Sequence, residues 1–382
     1  MNALTVLLKI RPDREKALEE ILLRVQADPS RNEIFHVEED CLTHCARWAV
    51  IHDDENGYRL LLATEFDGDL DSYLTELLRI TPGIDEIFGN CESYPGKSGF
   101  NDFIRRNYYE TQAFYIAFRD ETVYTIRDKI AVRKTLQRFL DTQARWAVPL
   151  LSVLGSLPVA HSFGKFVKQS INNARVAFHD WWLGILLDII KPITQLGQTQ
   201  NFPKVTDPAA AEAGRNLSRL DGQMITITEV KPWRYPRLRL AMAANEFLGK
   251  YGYPPGQFAF VGTLFSFRWV LIDNRKRLIF LSVFDGSWQN YMGDFIDKIV
   301  WALDGIYNNT KNYPPGGMKQ IDAFKAWILS YQYEPQLLFK SYPDETVLNL
   351  IRDREININL ATQLYTAAGF DSEEMRPLLK AL

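Results

Sequence analysis

Two arginines sit inside otherwise apolar stretches that read alike. Arg47 lies in Thr-His-Cys-Ala-Arg-Trp-Ala-Val-Ile (43–51) and Arg268 in Thr-Leu-Phe-Ser-Phe-Arg-Trp-Val-Leu-Ile (263–272), each followed directly by a tryptophan. A guanidinium on a strand among Trp and Val needs an acceptor if it is buried. Two acceptors are open: a ligand anion or carboxylate gripped by the planar fork of N–H donors, or a structural aspartate, Asp67 or Asp285, repeated because the unit is repeated. His44, aligned with Leu264, is either a proton-transfer group pointing between sheets or a structural or surface histidine. His44, Arg47 and Arg268 are therefore the candidate catalytic residues. Cys41, His44 and Cys45 lie close in sequence, but on a strand His44 and Cys45 face opposite sides. A closed zinc site needs four convergent ligands, so no metal site is expected. Dinucleotide, Walker A, zincin, Cys-x-x-Cys and Gly-x-Ser-x-Gly signatures do not occur in the chain.

The elements that carry these residues occur twice. After each Arg-Trp stretch comes a turn and a second apolar run, Arg59 to Glu65 and Arg277 to Val283, and both runs end in Phe-Asp-Gly (66–68 and 284–286). A tyrosine follows five residues after each glycine, Tyr73 and Tyr291, on a helical stretch where packing is its expected role. Farther on, Asp120-Glu121-Thr122-Val123 matches Asp344-Glu345-Thr346-Val347. Ordered matches with small gaps mark an internal duplication. In the first copy Leu4 to Ile10 reads as a strand, Asp13 as the N-cap of a helix reaching Ala27, then a hairpin and a helix from about Leu70 to Ile80. In the second copy Met224 to Val230, Arg237 to Tyr251, Leu264 to Asp273 with Arg277 to Val283, and Trp288 to Leu303 repeat that order. The aspartate of each Phe-Asp-Gly is expected to cap the helix that follows it, with glycine in a tight turn.

The order β-α-β-β-α is that of the split βαβ, ferredoxin-like unit, which leaves one sheet face open. The expected fold is α+β: two tandem ferredoxin-like repeats, 1–124 and 223–382, forming a pseudo-two-fold dimeric α+β barrel with a ligand-sized space between the sheets. A helical insertion and linker, 125–222, separates them. Trp146 to Gly164 is a run of nineteen residues without Lys, Arg, Asp or Glu, and a Trp181-Trp182 patch follows. Between Arg127 and Arg175 the charge is +7, against −3 for all 382 residues. Cations flanking apolar segments with paired indoles suit an interfacial membrane element; a buried or oligomer-forming helical hairpin is the other reading. A span is disfavoured, because nineteen residues barely cross a bilayer and Pro149 and Pro158 interrupt them.

Length alone suggests two or three domains, and 46% apolar with 13% aromatic residues supplies ample core. The mild net charge argues against a globally basic nucleic-acid binder. Three cysteines and a start without a signal-peptide pattern point to a reducing, cytoplasmic setting, peripheral at the inner face of a membrane if the insertion binds there.

With Arg268-Trp269, Phe284 to Trp288, Tyr291 and Asp294-Phe295, the second copy resembles a group of uncharacterised bacterial proteins related to the dimeric α+β barrel superfamily. That superfamily includes dye-decolorising peroxidases and chlorite-dismutase-like proteins. The resemblance implies paired ferredoxin-like units and, for its enzymes, haem held by a proximal histidine on the C-terminal unit. This chain has no histidine after His179, so His161 or His179 would have to serve, and only Asp-Gly remains of the peroxidase Gly-x-x-Asp-Gly signature. The expected function is a membrane-peripheral barrel protein that binds an apolar or anionic small ligand between its sheets, with a homo-oligomer formed through the insertion and no nucleic-acid partner. The alternative is an oxidoreductase, peroxidase-like with haem or a cofactor-free oxygenase, acting on a lipophilic substrate.

Overall fold

Alternation of apolar side chains along six strands of eight to eleven residues organises the molecule. A computed structural model of the chain describes residues 1–37, 41–142 and 221–366. His161, His179 and the apolar segments of 146–190 lie outside the described residues. The chain divides into two compact units, Met1–Ile126 with Gln198–Ile351, and Arg127–Gly197 with Arg352–Leu382. In the second unit, Arg133 Nε lies 2.6 Å from the buried carboxylate of Asp353.

The first unit is α+β with two antiparallel sheets. The first sheet contains β1 (Asn2–Lys9), β2 (Thr43–Asp53), β3 (Gly57–Phe66) and β9 (Leu337–Lys340) in the order β1-β3-β2-β9. The second contains β4 (Thr111–Ile116), β5 (Asp221–Glu229), β6 (Leu264–Ile272), β7 (Arg277–Asp285) and β8 (Gln332–Tyr333) in the order β4-β6-β7-β5-β8. Within each copy the first strand pairs with the third and the third with the second. The fourth long-range strand does not stay at home. From the first copy, β4 pairs with β6 of the second; from the second copy, β9 pairs with β2 of the first. The copies therefore exchange edge strands reciprocally.

Helices cover the outer face of the first sheet: α1 (Glu15–Gln26), α2 (Leu70–Ile80), α3 (Ile84–Phe88) and α4 (Phe100–Arg106). They pack on the outward row of strand residues, Ala46, Trp48 and Val50 of β2 with Leu60 and Leu62 of β3. The inward row, Ala49, Ile51, Leu61 and Ala63, packs against Ile225, Val270, Ile279 and Leu281 of the other sheet. The Arg-Trp pairs follow from this two-residue period. Trp48 is opposite Leu62 and goes out to the helices, and Arg47 is opposite Ala63 and goes in between the sheets. Outside the second sheet, Phe280 contacts Tyr307, and Tyr307 contacts Trp327 of a later helix. Tyr73 stacks on Phe66 at 4.0 Å and Tyr291 on Phe284 at 3.7 Å, so the repeated tyrosine packs each hairpin end against its helix.

Two local expectations need correction. Asp13 is not the N-cap of α1: Arg14 holds that position without a side-chain cap bond, and Asp13 takes a left-handed φ of 62° in the preceding turn. Nor do the Phe-Asp-Gly aspartates cap the next helix, a task that Asp69 performs for α2. Asp67 instead accepts the Val123 N–H at 2.7 Å at the start of α5 (Val123–Thr142), and Asp285 accepts the Val347 N–H at 2.5 Å at the start of the last helix (Val347–Thr366). Each caps a helix some sixty residues away, reached only after an exchanged strand. The glycines behave as read, with φ of 79° at Gly68 and 82° at Gly286.

Among the described residues, no helix is long and apolar enough to cross a membrane.

Candidate functional site

Strand alternation delivers Arg47 and Arg268 to the space between the sheets, and both are fully buried. Neither reaches Asp67 or Asp285. Their shared acceptor is Glu65, also fully buried, on the inward row of β3. Arg47 Nη2 donates to Glu65 Oε1 at 2.6 Å, and Arg268 Nη2 lies 3.5 Å from the same oxygen. Arg268 Nη1 donates to the Thr64 carbonyl at 2.8 Å, and the Ser266 hydroxyl to Glu65 Oε1 at 3.4 Å. The pairing register equates Glu65 with Val283 in the second copy, because Glu65 is opposite Cys45 and Val283 opposite Ser266. Both Arg-Trp strands thus supply an arginine, but only β3, and not β7, carries the carboxylate.

The cluster has two cations and one anion, a net charge of +1 in a water-excluded interior. Nε and Nη1 of Arg47, Nε of Arg268 and Oε2 of Glu65 make no hydrogen bond among the described residues. Burial pushes the Arg268 guanidinium down to about 10, despite the opposing pull of Glu65. It stays protonated at neutral pH all the same. A buried charge without full compensation costs several kcal/mol, so this cluster favours any small anion able to reach it.

His44 lies next to that cluster, in a different arrangement from the expected one. A bulge between Thr43 and Cys45 makes His44 an extra residue on β2, and a matching irregularity between Leu264 and Ser266 equates it with Phe265 rather than Leu264. Strict alternation fails at this step, so it does not separate His44 from Cys45. Among the described residues, however, no group of three or more His, Cys, Asp or Glu side chains is placed to hold a metal ion. Fully buried, His44 bridges two partners. Nε2 lies 3.0 Å from Asp67 Oδ1, and Nδ1 lies 2.7 Å from the Tyr342 hydroxyl. An ionised carboxylate only accepts, so Nε2–H donates to Asp67 and the Tyr342 hydroxyl donates to Nδ1. Burial, followed by the nearby Cys45 and Asp67, holds the Tyr342 phenol well above its usual pKa, which keeps it a donor. Tyr342 comes from the second copy and reaches His44 because β9 has crossed over: Ser341 N–H donates to the His44 carbonyl at 3.0 Å. The matching bond in the other direction is Ala117 N–H to the Phe265 carbonyl at 2.8 Å, with Phe118 in the place of Tyr342.

The opposite end of the inter-sheet row carries ion pairs and borders a cleft lined by Asp53, Ile227, Arg277 and Tyr333. Arg59 and Arg277, equivalent in the two copies, share Asp53 and Asp273 in a four-member ring: Arg59 to Asp53 at 3.0 Å and to Asp273 at 2.9 Å, Arg277 to Asp53 at 2.9 Å and to Asp273 Oδ2 as well. Burial works against the Asp53 carboxylate, but bonds from Asn56 and Arg277 outweigh it and bring the carboxyl down to about 2.

The sequence singled out both arginines and His44 and placed His44 between the sheets; that the two arginines meet on one carboxylate is seen only in the structure. Glu65, Asp67 and Tyr342 were missed as their partners. A glutamate on the inward period of β3, where the second copy has Val283, was the available signal for the first. For Tyr342 there was none, since its position depends on strand exchange. No family model, curated protein or solved structure matches this chain.

Proposed function

We propose that the chain is a ligand-binding protein built as two tandem ferredoxin-like repeats in a pseudo-two-fold α+β barrel, peripheral to a membrane, which takes a small anion or carboxylate-bearing ligand between its sheets. One observation carries this reading: Arg47 and Arg268 share a single carboxylate in the inter-sheet space and keep N–H groups without an acceptor. A buried net cation with directed donors is the chemistry that recognises a carboxylate or small oxyanion. The fully buried side chains restrict the ligand to a small one, or to a small anionic head entering as the sheets breathe.

Arg268→Met tests it. The substitution leaves Arg47 and Glu65 as a one-to-one pair, so the variant is expected to fold. Wild-type protein should melt at higher temperature with increasing acetate, benzoate or phosphate at fixed ionic strength, and Arg268→Met should lose that dependence. A wild-type melting temperature indifferent to all three anions overturns the reading.

A second reading, an oxidoreductase acting on a lipophilic substrate, is favoured by the Asp67–His44–Tyr342 chain, which can hold and pass a proton. Haem held by a proximal histidine on the C-terminal unit does not fit the sequence, and His161 and His179 lie outside the described residues. The described histidines, His36, His44 and His52, all belong to the first copy, and the sequence has none after His179.

A further inference from the structure

The turn that leads into the first helix is the same in both copies, yet one copy has put a tryptophan where the backbone resists it. In the first copy Arg11-Pro12-Asp13-Arg14 follows β1; in the second Lys231-Pro232-Trp233-Arg234 follows β5. Both turns are anchored alike. Arg11 N–H donates to the Asn90 carbonyl at 2.9 Å and Lys231 N–H to the Asn309 carbonyl at 2.8 Å, and each turn closes through a 3.2 Å bond three residues on. The third residue is left-handed in both, with φ of 62° at Asp13 and 67° at Trp233. Aspartate tolerates that region, and a bulky aromatic there is an outlier. Packing does not explain Trp233, because its side chain is 98% exposed.

The surroundings change in the same direction. Residues 11–20 carry a net charge of −1 and residues 231–240 carry +4, through Lys231, Arg234, Arg237 and Arg239. The helix that begins here, α6 (Tyr235–Tyr251), has no acidic residue in its first turn, whereas α1 has Glu15. Arginines at a helix N-terminus oppose the helix dipole, so they are not there for the helix. Burial and the neighbouring Arg234 and Arg237 lower the Lys231 pKa, a mark of cations crowded together. Arg275 lies over the Tyr235 ring at 4.6 Å, and with Lys276 and Lys231 it borders a cleft of about 370 Å³ beside Trp233. Along α6, Leu240, Phe247 and Tyr251 fall on one line and are 71%, 61% and 70% exposed. The first copy has Glu20 where Leu240 stands.

We infer that this face, Trp233 with its basic collar and the apolar line of α6, is the surface by which the protein docks on an anionic phospholipid bilayer. The inference rests on the membrane-peripheral part of the function proposed above. Indole and leucine enter the headgroup boundary, α6 lies along the plane, and the arginines meet lipid phosphates. A nucleic acid would use the cations and the indole, but it has no use for Leu240 and Phe247 on the same helix.

The test uses residues that the first copy already accommodates in the same turn and helix: Trp233→Asp, Leu240→Glu and Arg239→Glu. Their folding is checked by thermal melting. Full-length protein should pellet with phosphatidylcholine vesicles containing phosphatidylserine, far less with phosphatidylcholine alone, and should be released by salt. Trp233→Asp and Leu240→Glu should each lower the vesicle partition coefficient about tenfold, and loss of Arg239 roughly fivefold before the added negative charge. Pelleting that all three variants retain overturns this surface and leaves the membrane reading standing. A wild-type protein that does not pellet overturns both, as does binding to nucleic acid without binding to vesicles.

Discussion

Two turns with one backbone, Arg11 to Arg14 and Lys231 to Arg234, carry opposite surfaces, and two strands with one register, β3 and β7, carry Glu65 and Val283 at the same inward place. The duplicated scaffold is conserved between the copies in what the backbone needs: glycine after Phe-Asp, tyrosine stacked on phenylalanine, aspartate on a distant helix N-terminus. The copies diverge where the backbone is indifferent. Such positions are where the two stretches can differ in chemistry, because a change there leaves the backbone of both in place.

The comparison is broken most severely at Glu65. Glu65→Gln should destabilise the protein by about 3–5 kcal/mol in chemical denaturation, since it leaves two buried guanidiniums without a counter-ion. A loss below about 1 kcal/mol would mean that the arginines are already neutralised by something else. Arg47→Met should cost more than Arg268→Met, because Arg47 holds the Glu65 carboxylate at 2.6 Å, whereas Arg268 stands 3.5 Å from it and donates to the neutral Thr64 carbonyl. Making the first copy resemble the second at His44, by His44→Phe, should cost about 1–3 kcal/mol, the penalty for leaving the Tyr342 hydroxyl and an Asp67 oxygen unpaired. The reciprocal swap of the turns is milder. Asp13→Trp should destabilise by roughly 1 kcal/mol, and Trp233→Asp should leave stability unchanged or slightly raised. The pair measures the strain of an aromatic in left-handed backbone. The smallest effect is expected from acid. Asp53 titrates at about 2 when folded and near 3.8 when unfolded, so its stabilising contribution is complete above about pH 4 and is lost as pH falls toward 2. Asp53→Asn should flatten the acid limb of a stability–pH curve over that window.

Much of the scaffold was legible in the sequence because it is written twice. The Arg-Trp pairs, the two Phe-Asp-Gly ends and their tyrosines mark the element order, and the apolar setting of both arginines marks them as needing a buried acceptor. What stayed illegible was long-range. Local pattern does not say that β4 and β9 leave their own sheets, so Tyr342 could not be brought to His44, nor Asp67 to the Val123 amide. Asp13 was misread for a different reason: an aspartate before a helix suits both an N-cap and a left-handed turn, and the Pro12 turn selected the second. The Lys-Pro-Trp-Arg-Tyr-Pro-Arg run is plain in the sequence, but only the left-handed backbone and full exposure of Trp233 set it apart from an ordinary helix start.

The reciprocal strand exchange has a consequence for how the chain can be divided. Neither copy owns a complete sheet, since each leaves its β2 or β6 edge to be closed by the other. A half produced alone would display a bare hydrogen-bonding edge and a bare apolar face, the usual template for aggregation. The two halves supplied together carry the missing strands for one another. The molecule is in this sense a covalently tethered heterodimer, each part closing the sheet of the other.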